Sequence, residues 1–150
     1  MGRKQELESI ESPNGANIVY GGRQLGKSAL LKKAKADIDR NENGDRAILV
    51  DIKGFGYKDA AKKISDALYD EGILEQDVNI TDWNELSRAL RKRLLADKNR
   101  IPYLLLLLDE ADAFIESCEE VNFRPFDALK EIQSVGTGRF KFVIAGLCPQ

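Results

Sequence analysis

Residues 17 to 31 read NIVYGGRQLGKSALL, in which Gly21, Gly26, Lys27 and Ser28 satisfy the spacing G-x-x-x-x-G-K-[ST]. That spacing suits a loop that wraps a polyphosphate with successive backbone N–H groups, because glycines permit close approach and unusual dihedrals. The expected contact set is Gly21, Gly22, Arg23, Gln24, Leu25, Gly26, Lys27, Ser28 and Ala29. A helix beginning near Lys27 would aim its positive N-terminus at the same charge. Lys27 can then reach the outer phosphates, and the Ser28 hydroxyl is suited to ligating the accompanying Mg²⁺.

A second group follows in residues 103 to 112, YLLLLLDEAD, where an apolar run ends in Asp109 and Glu110. Beside a phosphate loop, an acidic residue at a strand tip can hold a water ligand of Mg²⁺, and the next carboxylate can orient or deprotonate an attacking water. Asp109 takes the metal role and Glu110 the base role. An acidic helix N-terminus explains the same residues equally well when they are read alone, since Asp109, Glu110 and Asp112 would all favour a macrodipole.

These residues must be carried by an alternation of short apolar runs and longer charged segments, which predicts an α/β fold. Strands are expected over Asn17–Tyr20, Ala47–Ile52, Tyr103–Leu108 and Phe140–Ala145, each nearly continuously apolar as befits parallel strands covered on both faces. Helical spacing places Leu30, Leu31, Ala34 and Ile38 on one face of Lys27–Arg40, and Ala61, Ile64, Ala67 and Leu68 on one face of Lys58–Tyr69. A third helix, capped by Thr81 or Asp82 with Glu85 completing a capping box, runs to about Ala96 with Leu86, Leu90 and Leu94 in a stripe. Asn43-Gly44, Glu71-Gly72 and Gly136-Thr137-Gly138 read as turns.

The two motifs together resemble the P-loop ATPases that carry an additional catalytic glutamate beside the Walker B aspartate, a class that includes AAA+ and signal-transduction (STAND) ATPases. The opening GRKQELESI is similar to the G-R-[ED]-x-E-L box of those families through Gly2, Arg3, Glu6 and Leu7. The resemblance implies a three-layer P-loop NTPase with a parallel sheet of order 5-1-4-3-2, ATP and Mg²⁺ as ligands, and Gly2 and Arg3 near the base or ribose. It also implies that RFKFVIAGL, residues 139 to 147, is the fourth strand. The chain departs from the pattern after Gly146, where Leu147, Cys148, Pro149 and Gln150 supply no Asn, Thr or Ser as a sensor. A fifth strand has no counterpart, so residues 1–150 read as one ATPase core truncated at its C-terminus. Its open edge is then completed by further domains of a parent protein or by self-association. Arg139 is expected at the end of the sheet away from the phosphates, which leaves no arginine finger and predicts low turnover for this stretch alone. Beyond ATP hydrolysis as a switch or motor, the alternatives are the core of a replication initiator or loader, and a nucleotide-binding scaffold without turnover.

Composition bounds these readings. The 150 residues are 43% hydrophobic and 32% charged, which fits one globular domain. A net charge of -2 gives no global positive field, so nucleic acid is not indicated as a partner. The cluster Arg88, Arg91, Lys92, Arg93 reads as a solvated helix face, and Phe55, Tyr57, Trp83 and Phe114 read as packing residues. The spelling D-E-A-D does not make the chain an RNA helicase, whose flanking motifs differ. Cys118 and Cys148 have no metal spacing and no histidine to join them, which suggests free thiols in a reducing compartment. The longest apolar run, Ile101–Leu108, falls far short of the roughly 20 residues a bilayer needs. The charged start MGRKQELESI lacks the apolar core of a secretory signal, and a cytoplasmic location is expected.

Overall fold

The computed structural model describes residues 2–13, 18–21, 24–75, 80, 82–136 and 138–147. The chain runs α1 (Gly2–Glu11), β1 (Ile18–Gly21), α2 (Gln24–Asp39), β2 (Arg46–Asp51), α3 (Tyr57–Asp70), α4 (Trp83–Leu95), β3 (Leu104–Asp109), α5 (Asp112–Cys118), a 3₁₀ turn (Glu119–Val121), α6 (Arg124–Gln133) and β4 (Phe140–Leu147). Its four strands form one sheet in the order β1-β4-β3-β2, every pair parallel. Parallel neighbours require crossovers, and the helices that make them cover both faces.

The period-two alternation of β3 sorts the core. Leu104, Leu106 and Leu108 join a cluster with α3, α4, α5 and α6, whereas Leu105 and Leu107 join Ile10 of α1 and Leu30, Leu31, Ala34 and Ile38 of α2. All five leucines are fully buried. A run with no polar residue is what such a two-sided position demands, because either face of the strand meets apolar helices. Trp83, Phe114 and Phe126 fill one layer, with the Phe114 ring centroid 5.4 Å from Trp83 and 5.8 Å from Phe126. The Trp83 indole N–H also finds an acceptor, the Tyr57 carbonyl, at 2.7 Å.

Element boundaries follow local chemistry. Asp82 caps α4 by accepting from the Asn84 backbone N–H at 2.8 Å, and Leu86, Leu90 and Leu94 are buried along the expected stripe. Gly44 and Gly72 stand at φ of +97° and +76°, the left-handed turns that end their helices' connections. Two expectations need correction. Helix α2 begins at Gln24 rather than near Lys27, because Gln, Leu, Lys and Ala are strong helix formers and one glycine costs only about 1 kcal/mol within a turn. The chain also forms α1 and α6, which the periodicity did not give, and α5, whose start at Asp112 realises the acidic helix N-terminus that was the alternative reading of these residues.

The N-terminal edge of the sheet is closed by side chains reaching main-chain carbonyls. Lys141, fully buried on β4, donates to the carbonyls of Ser9 and, at 2.7 Å, of Ser12, so its ammonium meets the negative end of α1. Burial pushes that ammonium down to about 8. The Tyr103 hydroxyl donates to the Glu11 carbonyl at 3.0 Å. Arg139 donates to the carbonyls of Leu94 and, at 3.3 Å, of Ile101, which places it at this end as expected.

Candidate functional site at the strand tips

At the opposite, C-terminal edge, β1 and β3 bring the two sequence motifs together. Alternation along β3 turns Asp109 to the α2 side of the sheet, the face that already holds Leu105 and Leu107. There the Ser28 hydroxyl, in the second turn of α2, donates to Asp109 Oδ2 at 2.7 Å across 81 positions of sequence. The other oxygen, Oδ1, accepts from the Glu110 backbone N–H at 2.9 Å. Both carboxylate oxygens are thereby oriented, and the main chain is pinned in turn by the Ile52 N–H, which donates to the Asp109 carbonyl at 3.0 Å.

Glu110 holds φ at +59°, the left-handed region that a long side chain seldom adopts. Such a backbone costs about 1–3 kcal/mol and survives only where surrounding contacts impose it. Those contacts are visible on both sides. Asp109 is fixed as above, and the Ala111 N–H donates to the Ala145 carbonyl of β4 at 2.9 Å, which carries the chain from β3 over the tip of its neighbour. Asp112 then lies against Gly146, where an added Cβ would stand 3.0 Å from Asp112 Oδ1. The glycine near the end of β4 is thus matched to the carboxylate that follows the strand tip.

Of the expected phosphate-loop residues, Gly21 ends β1 and Gln24, Leu25, Gly26, Lys27, Ser28 and Ala29 lie in the first turns of α2. Gly22 and Arg23 lie outside the described residues, as do the side chains of Gln24 to Lys27. With the helix starting early, the donors expected from an open loop become the first-turn N–H groups of α2, which no helix satisfies internally. Gly2 and Arg3 open α1, and Arg3's side chain is likewise outside the described set. Cys148, at the expected sensor position, is outside it too.

Other sequence readings resolve within the described residues. Burial pushes the Cys118 thiol up to about 12, so it is an inert core group. Arg93 donates to the carbonyls of Ile73 and Asn99, each at 2.8 Å, a structural use for a residue expected on a solvated basic face. No helix among the described residues is long and apolar enough to cross a membrane. A residue the motifs did not flag is Asp51, which ends β2 in register with Asp109. Its signal was legible as a carboxylate closing the apolar run AILVD. Comparison with protein-family models and with curated proteins finds no match for this chain.

Proposed function

We propose that this chain is the core of a P-loop ATPase that binds Mg-ATP at the C-terminal edge of its sheet and transfers the γ-phosphoryl group to water. The observation that carries the reading is the 2.7 Å hydrogen bond between Ser28 and Asp109, which joins the glycine-rich motif to the strand that ends in two carboxylates. Neither an accidental glycine turn nor an acidic helix start requires the other motif beside it. The crevice outside the carboxyl ends of an open parallel sheet is also the general ligand position of such folds.

The donor set fits a hard divalent cation, since a hydroxyl and a carboxylate oxygen converge on one face of the sheet. Ser28 would hold Mg²⁺ directly and Asp109 would hold one of its waters. Held there, Mg²⁺ would supply positive charge against the phosphate oxygens. Lys27 and the first-turn N–H groups of α2 bind the phosphates, with the positive end of α2 adding to the attraction. Glu110 orients the attacking water and accepts its proton. The additional-glutamate class, AAA+ or STAND-like, accommodates both the β1-β4-β3-β2 order and the adjacent Asp109-Glu110 pair.

A thermal melt with saturating Mg-ATP or Mg-ADP tests the site. At ligand near 100 times its dissociation constant, the gain is about 2.7 kcal/mol. That corresponds to a rise of roughly 5 to 10 °C for a domain of this length. Lys27→Ala is expected to abolish most of the rise by removing a charge-assisted phosphate contact. A wild-type melt unmoved by nucleotide and magnesium refutes the proposal.

A further inference from the structure

Asp51 closes β2 as Asp109 closes β3, and the two are register partners in the parallel pair. Their side chains leave the same face. Ile48, Val50 and Ile52 join the α3–α6 cluster, Ala47 and Leu49 pack with α1 and α2, and the alternation turns Asp51 toward α2 as it does Asp109. Adjacent strands lie about 4.8 Å apart, so a second carboxylate stands one strand away from the Ser28–Asp109 bond. The Lys53 N–H donates to Asp51 Oδ1 at 3.0 Å, and Lys63 Nζ donates to the Asp51 carbonyl at 2.5 Å. The residue is exposed yet held from the side chain and the main chain at once.

Carboxylates at neighbouring strand tips repel one another. A shared cation reverses the sign of that interaction. A Mg²⁺ held by Ser28 and Asp109 would keep several of its waters, because it dehydrates reluctantly, and a carboxylate on the adjacent strand could accept from one of them. We infer that Asp51 is a positioning residue for the metal, accepting a hydrogen bond from a water of the Mg²⁺ shell on the β2 side of Asp109. It thereby makes nucleotide affinity depend on magnesium. This rests on the ATPase reading above and assigns a role to a residue outside both motifs.

Asp51→Asn separates this role from a structural one, because the amide oxygen still accepts from Lys53 while the charge is lost. Calorimetric titration of ADP into wild type and variant, each with Mg²⁺ and with EDTA, is the measurement, accompanied by a melt of both unliganded proteins. The wild type should bind more tightly with Mg²⁺. In the variant that magnesium-dependent gain is expected to shrink about tenfold, with affinity in EDTA and melting temperature unchanged. An unchanged gain, or an equal loss in Mg²⁺ and EDTA, overturns the role of Asp51 and leaves the ATPase proposal standing. A wild type that binds no nucleotide overturns the ATPase proposal itself, and this inference falls with it.

Discussion

At the residue scale, Glu110 holds the most informative conflict between local preference and position. A glutamate at φ of +59° pays for its backbone, whereas glycine would adopt the same dihedral without steric cost. Glu110→Gly is therefore expected to melt no lower than wild type, with a net gain of roughly 1 kcal/mol after the extra freedom of the unfolded glycine is subtracted. The proposed base is lost in the same variant, so hydrolysis should fall while stability does not. Glu110→Gln keeps the strain and the size but not the basicity, and it should retain nucleotide while slowing turnover. Melts and phosphate release on the two variants check the pair. A glycine variant of clearly lower melting temperature would show that the contacts of the Glu110 side chain outweigh the strain of its left-handed backbone.

At the element scale, α1 brings a carboxylate into an awkward place. Burial, with Asp37 and Glu8 nearby and only partly offset by Lys33, raises the Glu11 carboxyl from its ordinary 4.5 to about 7, while hydrogen bonding to Glu11 holds Asp37 low. The two carboxyls influence each other's titration, so the observed steps belong to both groups. Between about pH 4.5 and 7 the folded chain keeps a proton that the unfolded chain has released, so this contribution to stability is present below that window and is lost as pH rises through it. Relative to Glu11→Gln, the wild-type melting temperature is expected to fall across that interval, and parallel curves for the two proteins would remove the assignment. Nothing in GRKQELESIE announces this helix's partner, because the acceptors that tie it down are main-chain carbonyls reached by Lys141 and Tyr103 from far along the chain. The strands, by contrast, were legible to within a residue or two, since two-sided burial writes itself as unbroken apolar runs such as LLLLL. Helix α6 escaped because it starts after two left-handed residues, Asn122 and Phe123, too irregular for periodicity to register, and α5, only seven residues long, was signalled by its acidic start alone. The Ser28–Asp109 bond joins two residues that the sequence had singled out, whereas the relation of Asp51 to Asp109 exists only in the register of β2 on β3 and not in the run AILVD itself.

At the scale of the whole molecule, β1 has one strand partner among the described residues, β4, and its other side is an edge of the sheet. An edge presents unpaired N–H and C=O groups to other chains, and the sequence Ile18–Gly21 has no charge or proline to discourage pairing. Concentration-dependent self-association is expected in light scattering, with fast amide exchange on the outward side of β1 at low concentration. A clean monomer at high concentration, with slow exchange throughout Ile18–Gly21, would mean that the edge is already covered. The same arrangement sets an order of events during biosynthesis. The register pairs Ile18 with Ile144 and Gly21 with Leu147, so β1 must wait until β4, far along the chain, has been made before the two can pair. Closing so long a loop carries an entropic toll that local helices escape, and it makes such pairings slow. β2 and β3 can zip together on the emerging chain well before that. Until β4 leaves the ribosome, a nascent chain therefore holds Asp109 in a formed strand pair while β1, which leads into α2 and Ser28, lacks its strand partner, so under the proposed function nucleotide would assist folding only once β4 is in place.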